Sequence, residues 1–257
     1  MSRILAPLTP EEVILMREVC QLAARTLQYA GEFVKPGITT NEIDRLVHEY
    51  TLKHDAKPAT LNYHGFPKSV CTSVNEVICH GVPDETVLKE GDIINIDVTS
   101  IKNGFFGDTS ATFYVGEVSE EAKRLTECAR DAMWKGIEQV APYGTTGDIG
   151  FAVNKFVTRK GFSVVKEIGG HGIGKAFHGD PFVPSHGKRG RGDKLIPWTC
   201  LTVEPMVNVT TSPIEEFDIP GSSHKYYMTE DRCLSAQFEH TILITDEGYE
   251  VLTFLEN

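Results

Sequence analysis

The sequence lacks the features that would assign it to several common classes of protein. No apolar run is long enough to span a bilayer. The amino-terminal segment turns polar after residue 8, so we expect no signal peptide. Lys and Arg total 25 against 36 Asp and Glu, a net charge of -11. This scarcity of positive charge disfavours a nucleic-acid partner, because phosphate binding needs concentrated cations. We therefore expect no binding to membranes or nucleic acids.

Cysteine is sparse and irregularly spaced. The six cysteines form no C-x-x-C pair, so the sequence gives no basis for a zinc ribbon. We interpret all six as free thiols in a reducing compartment, which predicts a cytoplasmic location. The one basic stretch, residues 188–194, is interpreted as a solvated loop.

Hydrophobic residues make up 40% of the chain, enough for a sizeable core. Two helix starts are visible. Thr9 precedes Pro10 and Glu12, an arrangement typical of a capped first turn, and apolar residues then recur at helical spacing to Ala30. Thr39, with Glu42 three residues later, predicts a second start.

The segment that contains the second start recurs 106 residues further on. The first copy has Val34, Pro36, Thr39, Thr40, Glu42, Ile43 and Val47, and the second has Val140, Pro142, Thr145, Thr146, Asp148, Ile149 and Val153. Strand-like runs follow each copy, near residues 70–73, 93–99 and 110–115, then 163–168, 201–207 and 237–245. No flexible linker separates the copies. We predict an α+β fold in which helix-helix-strand-strand halves, at about 9–115 and 116–250, form one domain over residues 1–257.

Two carboxylates lie on a predicted hairpin. The run from Ile93 to Thr99 alternates, which places Asp97 on its polar face, and Asn103-Gly104 is a strong turn signal before Asp108. A two-residue turn would put Asp108 opposite Thr99 and diagonal to Asp97. A four-residue loop would put the two aspartates opposite each other, whereas a three-residue loop would place them on opposite faces of the hairpin. With a loop of two or four residues the two acids share one face of the hairpin, where a cation would relieve their repulsion.

Three more residues favour a metal site over two unrelated surface acids. Glu204 and Glu239 each interrupt a strongly apolar run that we interpret as a strand. His171 lies in the glycine-rich segment 169–174, where the backbone can approach a site closely, and His178 follows seven residues later. Residues 169–175 fit the start of a phosphate-binding loop, but Ala176 occupies the position of the required Ser or Thr.

These motifs occur, in order, as they do in the type I methionine aminopeptidases, and the sequence resembles that family from about Thr9 to Leu255. The matching segments are 75–83 (NEVICHGVP), 95–99 (NIDVT), 107–110 (GDTS), 170–174 (GHGIG), 204–206 (EPM) and 237–241 (QFEHT). The chain is similar to the short bacterial or organellar form. The resemblance implies a pita-bread fold, with pseudo-two-fold halves around a curved antiparallel sheet.

The resemblance also implies the residue roles. Two divalent metals, of cobalt, manganese, iron or zinc, would be bound by Asp97, Asp108, His171, Glu204 and Glu239, and would activate a bridging water. Glu204 would also accept a proton from this water. His178 would bind the scissile carbonyl oxygen, and His80 would lie near the scissile nitrogen, suited to positioning the peptide or passing a proton to the leaving amine. Tyr63, Phe66, Cys71 and Phe177 would line the methionine pocket.

The sequence departs from the family pattern at this pocket. Lys225 occupies the position of the usual pocket tryptophan, and residues 210–223 form a short insertion. Either Tyr226 or Tyr227 would then replace the indole, or the insertion would reshape the rim.

The implied function is removal of the initiator methionine from nascent polypeptides when the second residue is small, by a monomer acting near the ribosome. Met1-Ser2 would itself be a substrate. Two alternatives remain: a prolidase or proline-specific aminopeptidase, and a non-catalytic peptide-binding relative. A thiol protease built on Cys71 or Cys79 with His80 lacks an orienting Asn or Asp nearby.

Overall fold

The computed structural model describes residues 6–255, so the predicted processing of Met1 lies outside the described residues. The described part contains helices α1 (Pro10–Gly31), α2 (Thr40–Lys53), α3 (Glu120–Ile137) and α4 (Thr146–Arg159), and a short 3-10 helix at Tyr63–Gly65. The strands are β1 (Lys57–Pro58), β2 (Cys71–Val74), β3 (Val77–Cys79), β4 (Ile93–Lys102), β5 (Phe105–Tyr114), β6 (Ser163–Val164), β7 (Gly170–Ile173), β8 (Gly179–Val183), β9 (Cys200–Val203), β10 (Met206–Asn208), β11 (Ile214–Asp218), β12 (Lys225–Thr229), β13 (Ser235–Gln237), β14 (His240–Ile244) and β15 (Tyr249–Val251).

Both predicted helix starts are confirmed. The side chain of Thr9 accepts a hydrogen bond from the N–H of Glu12, whose carboxylate accepts one from the N–H of Thr9 in return. Thr39 caps α2 through the N–H of Glu42. Such caps satisfy N–H groups that have no partner within the helix, and each stabilises its helix by about 1 kcal/mol.

The predicted duplication is present in the structure. Helices α2 and α4 have 14 residues each, and their N-caps Thr39 and Thr145 are 106 residues apart. The next residue in each copy makes a corresponding backbone hydrogen bond. The N–H of Thr40 donates to the carbonyl of Thr86 at 3.1 Å, and that of Thr146 donates to the carbonyl of Asp193 at 3.0 Å.

The strands pair only in antiparallel fashion among the described residues. In one sheet β4 pairs with β1, β2 and β5, and in the largest the order is β15-β14-β9-β7-β8. Two smaller sheets have the orders β13-β10-β6 and β11-β12-β3. Reciprocal backbone hydrogen bonds between Ser110 and Glu239 connect the first sheet with the second half of the chain.

Two of the predicted strands are broken where a single strand was expected. The run 201–207 ends as β9 at Val203 and resumes as β10 at Met206, and the run 237–245 breaks between β13 and β14. Pro205 has no N–H with which to continue a ladder. Glu239 uses its backbone groups to pair with Ser110 instead. Glu204 and Glu239, the two glutamates predicted to bind metal, therefore lie at breaks between strands and not within strands.

The predicted run 163–168 is also shorter than expected, because β6 ends at Val164. Residues 210–223, considered an insertion of unknown role, contain β11, which pairs with β12. Glu215 and Glu216 lie in β11, and each forms a surface ion pair, with Arg232 and Lys225 respectively.

The core lies between the helices and the sheets. Helix α1 packs on β4 and β5, and α3 packs on α4. Ile94, Ile96 and Val98 point away from the polar face of β4 into the apolar layer beneath α1 and α2, where they are fully buried. The opposite face of the β4–β5 hairpin is thereby left to the polar residues. None of the described helices is long and apolar enough to cross a membrane.

Candidate active site

The β4–β5 hairpin places two aspartates side by side. The turn consists of Asn103 and Gly104, both with positive φ, and Thr99 is opposite Asp108. The two-residue alternative is therefore correct, and Asp97 lies one diagonal step from Asp108 on the same face. The hydroxyl of Thr99 donates a hydrogen bond of 2.7 Å to Oδ1 of Asp108, which fixes that carboxylate.

The two glutamates come from the strand breaks. The pairing of β9 with β14 ends at Val203 and His240, and the pairing of β10 with β13 begins at Met206 and Gln237. Glu204 and Glu239 lie in the gap between these two ladders. Glu204 is oriented by the Thr202 hydroxyl at 2.7 Å and the Gln237 amide at 3.1 Å, both of which donate to it. Glu239 is almost completely buried.

His171 on β7 completes the cluster. Its Nε2 is 3.7 Å from Oδ2 of Asp108 and 3.6 Å from Oε1 of Glu204. Its Nδ1 lies 3.1 Å from the carbonyl of Gly172, to which it can only donate, so the lone pair resides on Nε2 and faces the acids. Gly170 permits this position, because a Cβ there would lie 2.3 Å from the carbonyl oxygen of Thr202.

The donor set fits divalent cations. The ligand atoms of Asp108, His171 and Glu239 lie within 4.8 Å of one another. Oε1 of Glu239 is buried with no hydrogen-bond partner in the described residues. No Lys or Arg is among the described residues that line the cavity around this cluster. Oxygen donors with one imidazole suit manganese, iron, cobalt or zinc.

The electrostatics of the cluster support the same interpretation. Burial raises the pKa values of the carboxyl groups of Asp97, Asp108, Glu204 and Glu239. Repulsion from neighbouring acids raises the pKa further for Asp108, Glu204 and Glu239. Four buried carboxyl groups without a basic side chain are costly unless they hold protons or cations. Divalent cations would remove both the repulsion and the desolvation cost.

Two histidines lie beside the cluster, each with a hydrogen-bond partner at Nδ1. Nδ1 of His80 lies 3.1 Å from the carbonyl of Lys225 and must donate to it, which leaves Nε2 as an acceptor. Nδ1 of His178 lies 2.9 Å from the hydroxyl of Tyr63. Burial lowers the pKa of His80 to about 4, and burial together with repulsion from neighbouring histidines lowers the pKa of His178. Both imidazoles are therefore neutral at pH 7.

The cluster lies in a cavity of about 260 Å³ whose remaining lining is mostly apolar and aromatic but also includes Thr60 and three further histidines. All of the sequence-predicted site residues line it: Tyr63, Phe66, Cys71, His80, Asp97, Asp108, His171, Phe177, His178, Glu204 and Glu239. Phe177 is buried between the rings of Tyr63 and Phe106, at centroid distances of 4.7 and 5.6 Å. Burial raises the pKa values of the Cys71 and Cys79 thiols, which disfavours a thiol nucleophile.

Sequence reasoning missed several lining residues, namely Thr60, Ile168, Phe182 and His224. Lys225, expected to occupy the position of an indole, is not among the lining residues, because its ammonium group is paired with Glu216 at 2.8 Å on the outer side of β12. The ring of His224 occupies the wall instead, stacked 5.4 Å from Tyr63. The acidic residues of β11 were the sequence feature from which the outward direction of the Lys225 side chain could have been predicted.

Comparison with known proteins agrees with this geometry. The model of metallopeptidase family M24 matches residues 14–246. The chain belongs to this family. A methionine aminopeptidase of Rickettsia prowazekii is 46% identical over 95% of this chain and 93% of its own. The crystal structure of methionine aminopeptidase from that organism superposes with a TM-score of 0.94 at 45% identity, covering 98% of this chain and all of the other.

These matches place the chain in the methionine aminopeptidase branch of family M24 and confirm the pita-bread fold. A prolidase from Pyrococcus furiosus shares the fold at 21% identity, with a TM-score of 0.76, 98% of this chain covered and 66% of that chain. At this identity the likeness concerns the fold alone. The predicted membership of the short bacterial form is confirmed by the near-complete mutual coverage with the Rickettsia proteins.

Proposed function

We propose that this protein is a methionyl aminopeptidase that removes the initiator methionine from polypeptides whose second residue is small. The observation that carries the proposal is one cavity in which four acids, two of them almost completely buried, and His171 lie beside an aromatic pocket. The pocket walls of Tyr63, Phe66 and Phe177 suit a flexible thioether side chain. The similarity to a named methionine aminopeptidase supports the same activity.

Asp97, Asp108, His171, Glu204 and Glu239 would hold two divalent ions. When bound, the ions would lower the pKa of water and place positive charge near the scissile carbonyl. The unpartnered Oε1 of Glu239 and the shared face of Asp97 and Asp108 support this assignment. Manganese, iron, cobalt and zinc all suit these donors, and metal analysis of protein purified without added metal identifies the resident ion.

Proton transfer, binding of the carbonyl oxygen and orientation of the peptide would be carried out by side chains. Glu204, held by Thr202 and Gln237, would accept a proton from the attacking water and deliver it to the leaving amine. The Nε2–H of His178 would donate to the carbonyl oxygen as negative charge develops there. The Nε2 lone pair of His80 would accept the N–H of the scissile amide and orient the peptide.

The same proposal includes the domain organisation, the natural substrates, the oligomeric state and the cellular compartment. Residues 1–257 would act as one catalytic domain, because Asp97 and Asp108 come from the first half and His171, Glu204 and Glu239 from the second. The substrates would be nascent chains near the ribosome, met by a monomer in the cytoplasm. The six cysteines are unpaired, which supports a reducing compartment.

A peptide panel tests the proposal. Metal-loaded protein should release methionine from Met-Ala-Ser and should not cleave dipeptides of the X-Pro type. Cleavage of X-Pro peptides alone would establish a prolidase. Metal binding without any peptidase activity would establish a non-catalytic relative.

A further inference from the structure

Two buried polar atoms at the cavity have no hydrogen-bond partner within the described residues. They are Oγ1 of Thr60 and Nε2 of His224. Thr60 is only 6% exposed, and both residues line the cavity that contains the acid cluster. The third unpartnered atom on a lining residue, Oε1 of Glu239, would be satisfied by a bound metal ion. The first two belong to the methionine pocket and lack such an explanation.

Tyr63 links these two residues. Its N–H donates to the carbonyl of Thr60 at 3.0 Å, and its ring stacks on His224 with centroids 5.4 Å apart. The position of His224 is set by its backbone N–H, which donates to Ser222 at 2.9 Å. Thr60 and His224 therefore flank the same aromatic wall of the pocket.

Both atoms can act as donors. Burial, together with repulsion from His64, lowers the pKa of His224, so its imidazole is neutral and carries one N–H. Either ring nitrogen can hold that proton, and the hydroxyl of Thr60 can rotate. A buried donor without an acceptor is costly, and a thioether sulfur is only a weak acceptor. Methionine therefore leaves both donors poorly satisfied.

We propose that the pocket also accepts an oxidised amino-terminal residue, methionine sulfoxide, with Thr60 and His224 donating hydrogen bonds to the sulfoxide oxygen. Oxidation converts the apolar thioether into a polar group while keeping the length of the side chain. The added oxygen is smaller than one water molecule, whose share of liquid volume is about 30 Å³, and the cavity measures about 260 Å³.

The inference rests on the proposed function and adds a substrate to it. The reaction is the same hydrolysis: water adds across the scissile C–N bond, giving free methionine sulfoxide and a new amino terminus. The sulfur is neither oxidised nor reduced, so no further reactant is needed. Proteins whose initiator methionine has been oxidised would still be processed.

The test compares Met-Ala-Ser with its sulfoxide form on the manganese-loaded enzyme. We expect the two kcat/KM values of the wild type to differ by less than about tenfold. The ratio of sulfoxide to methionine peptide should then fall about two- to tenfold in Thr60→Val and again in His224→Phe, as for the loss of one hydrogen bond. Because the readout is a ratio, a general loss of activity in a variant cancels.

Two controls accompany the variants. Thr60→Ser keeps the hydroxyl and should keep the ratio, and Thr126→Val alters a buried threonine that does not line the cavity. For a variant without turnover, calorimetric binding of free methionine and free methionine sulfoxide supplies the same ratio. A wild type that cleaves only the unoxidised peptide, or a ratio unchanged in Thr60→Val or His224→Phe, overturns the inference. Failure on both peptides overturns the proposed function instead.

Discussion

The hydroxyl of Tyr63 lies 2.9 Å from Nδ1 of His178, and this contact connects the methionine pocket to the expected oxyanion site. If the phenol donates, the imidazole proton is held on Nε2, where it can reach a substrate carbonyl. A wall residue of the pocket is thus in hydrogen-bond contact with the residue that would stabilise the transition state.

Replacing His178 removes this donor. We expect His178→Ala to lower kcat by roughly 10²-fold, as for the loss of one transition-state hydrogen bond, with metal content unchanged. Tyr63→Phe should reproduce part of this loss in kcat, because Nδ1 loses its fixed partner. Steady-state kinetics on Met-Ala-Ser, with metal analysis of each variant, check both expectations. Loss of metal from His178→Ala would instead make His178 a ligand.

Asp97 is expected to be needed for function and not for folding. Asp97→Asn should abolish turnover at limiting metal, because it removes a ligand charge. It should also leave the metal-free protein as stable as the wild type or more so, because it removes a buried carboxyl group whose ionisation is costly. A gain of 1 kcal/mol would raise Tm by about 2–4 °C in a chain of this size.

Thermal unfolding of the metal-free proteins measures this effect, and Asp131→Asn on the exposed face of α3 is the matched control. Full turnover of Asp97→Asn at limiting metal, or a large drop in its Tm, would contradict the assignment.

Lys225 should matter little through its side chain. Its ammonium group is paired with Glu216 at the surface, and only its backbone carbonyl reaches His80. Because this side chain does not line the cavity, Lys225→Ala should leave kcat/KM on Met-Ala-Ser close to the wild-type value, and loss of the exposed ion pair should lower stability by only about 0.2–1 kcal/mol. A loss of tenfold or more would mean that the lysine side chain contributes to the pocket after all.

The residue after methionine should have to be small. His80 and His178 line the cavity, and together with the metal ions they would close around the scissile bond and leave little room beyond it. We expect kcat/KM for Met-Lys-Ser to be lower than for Met-Ala-Ser by about 10²-fold. Both peptides are assayed under identical metal conditions. Comparable values would refute the size rule and indicate that the loop before β12 has widened the mouth of the pocket.

The parts of the site that depend on local sequence could be predicted. The Asn103-Gly104 turn determines the register that brings Asp108 beside Asp97. The glycines around His171 indicate that the backbone there lies close to a neighbouring strand. Pro205 was a local signal for the break after Glu204, but the matching break at Glu239 could not be predicted, because Glu239 lies in a continuous apolar run. Its cause is partly distant in sequence, in the pairing of Glu239 with Ser110.

The position of His224 could not be predicted for a similar reason. Its loop is held against the 3-10 helix by long-range contacts, in which the N–H of Ser223 donates to the carbonyl of His64 at 3.0 Å. Gly65 allows the two backbones to meet, since a Cβ there would lie 2.4 Å from the carbonyl oxygen of Gly221. Counting along one strand put Lys225 at the position of the usual tryptophan and suggested Tyr226 or Tyr227 as its replacement, but the loop before β12 brings His224 to the cavity wall.

Metal titration tests the central claim most directly. Protein stripped with a chelator is titrated with manganese or cobalt while methionine release from Met-Ala-Ser is measured, beside Glu239→Gln as the variant that alters the most buried ligand. The account predicts no release without metal, release that rises to saturation as metal is added, and none from the variant at the same metal concentrations. Release from fully stripped protein, or wild-type activity in Glu239→Gln, would contradict it.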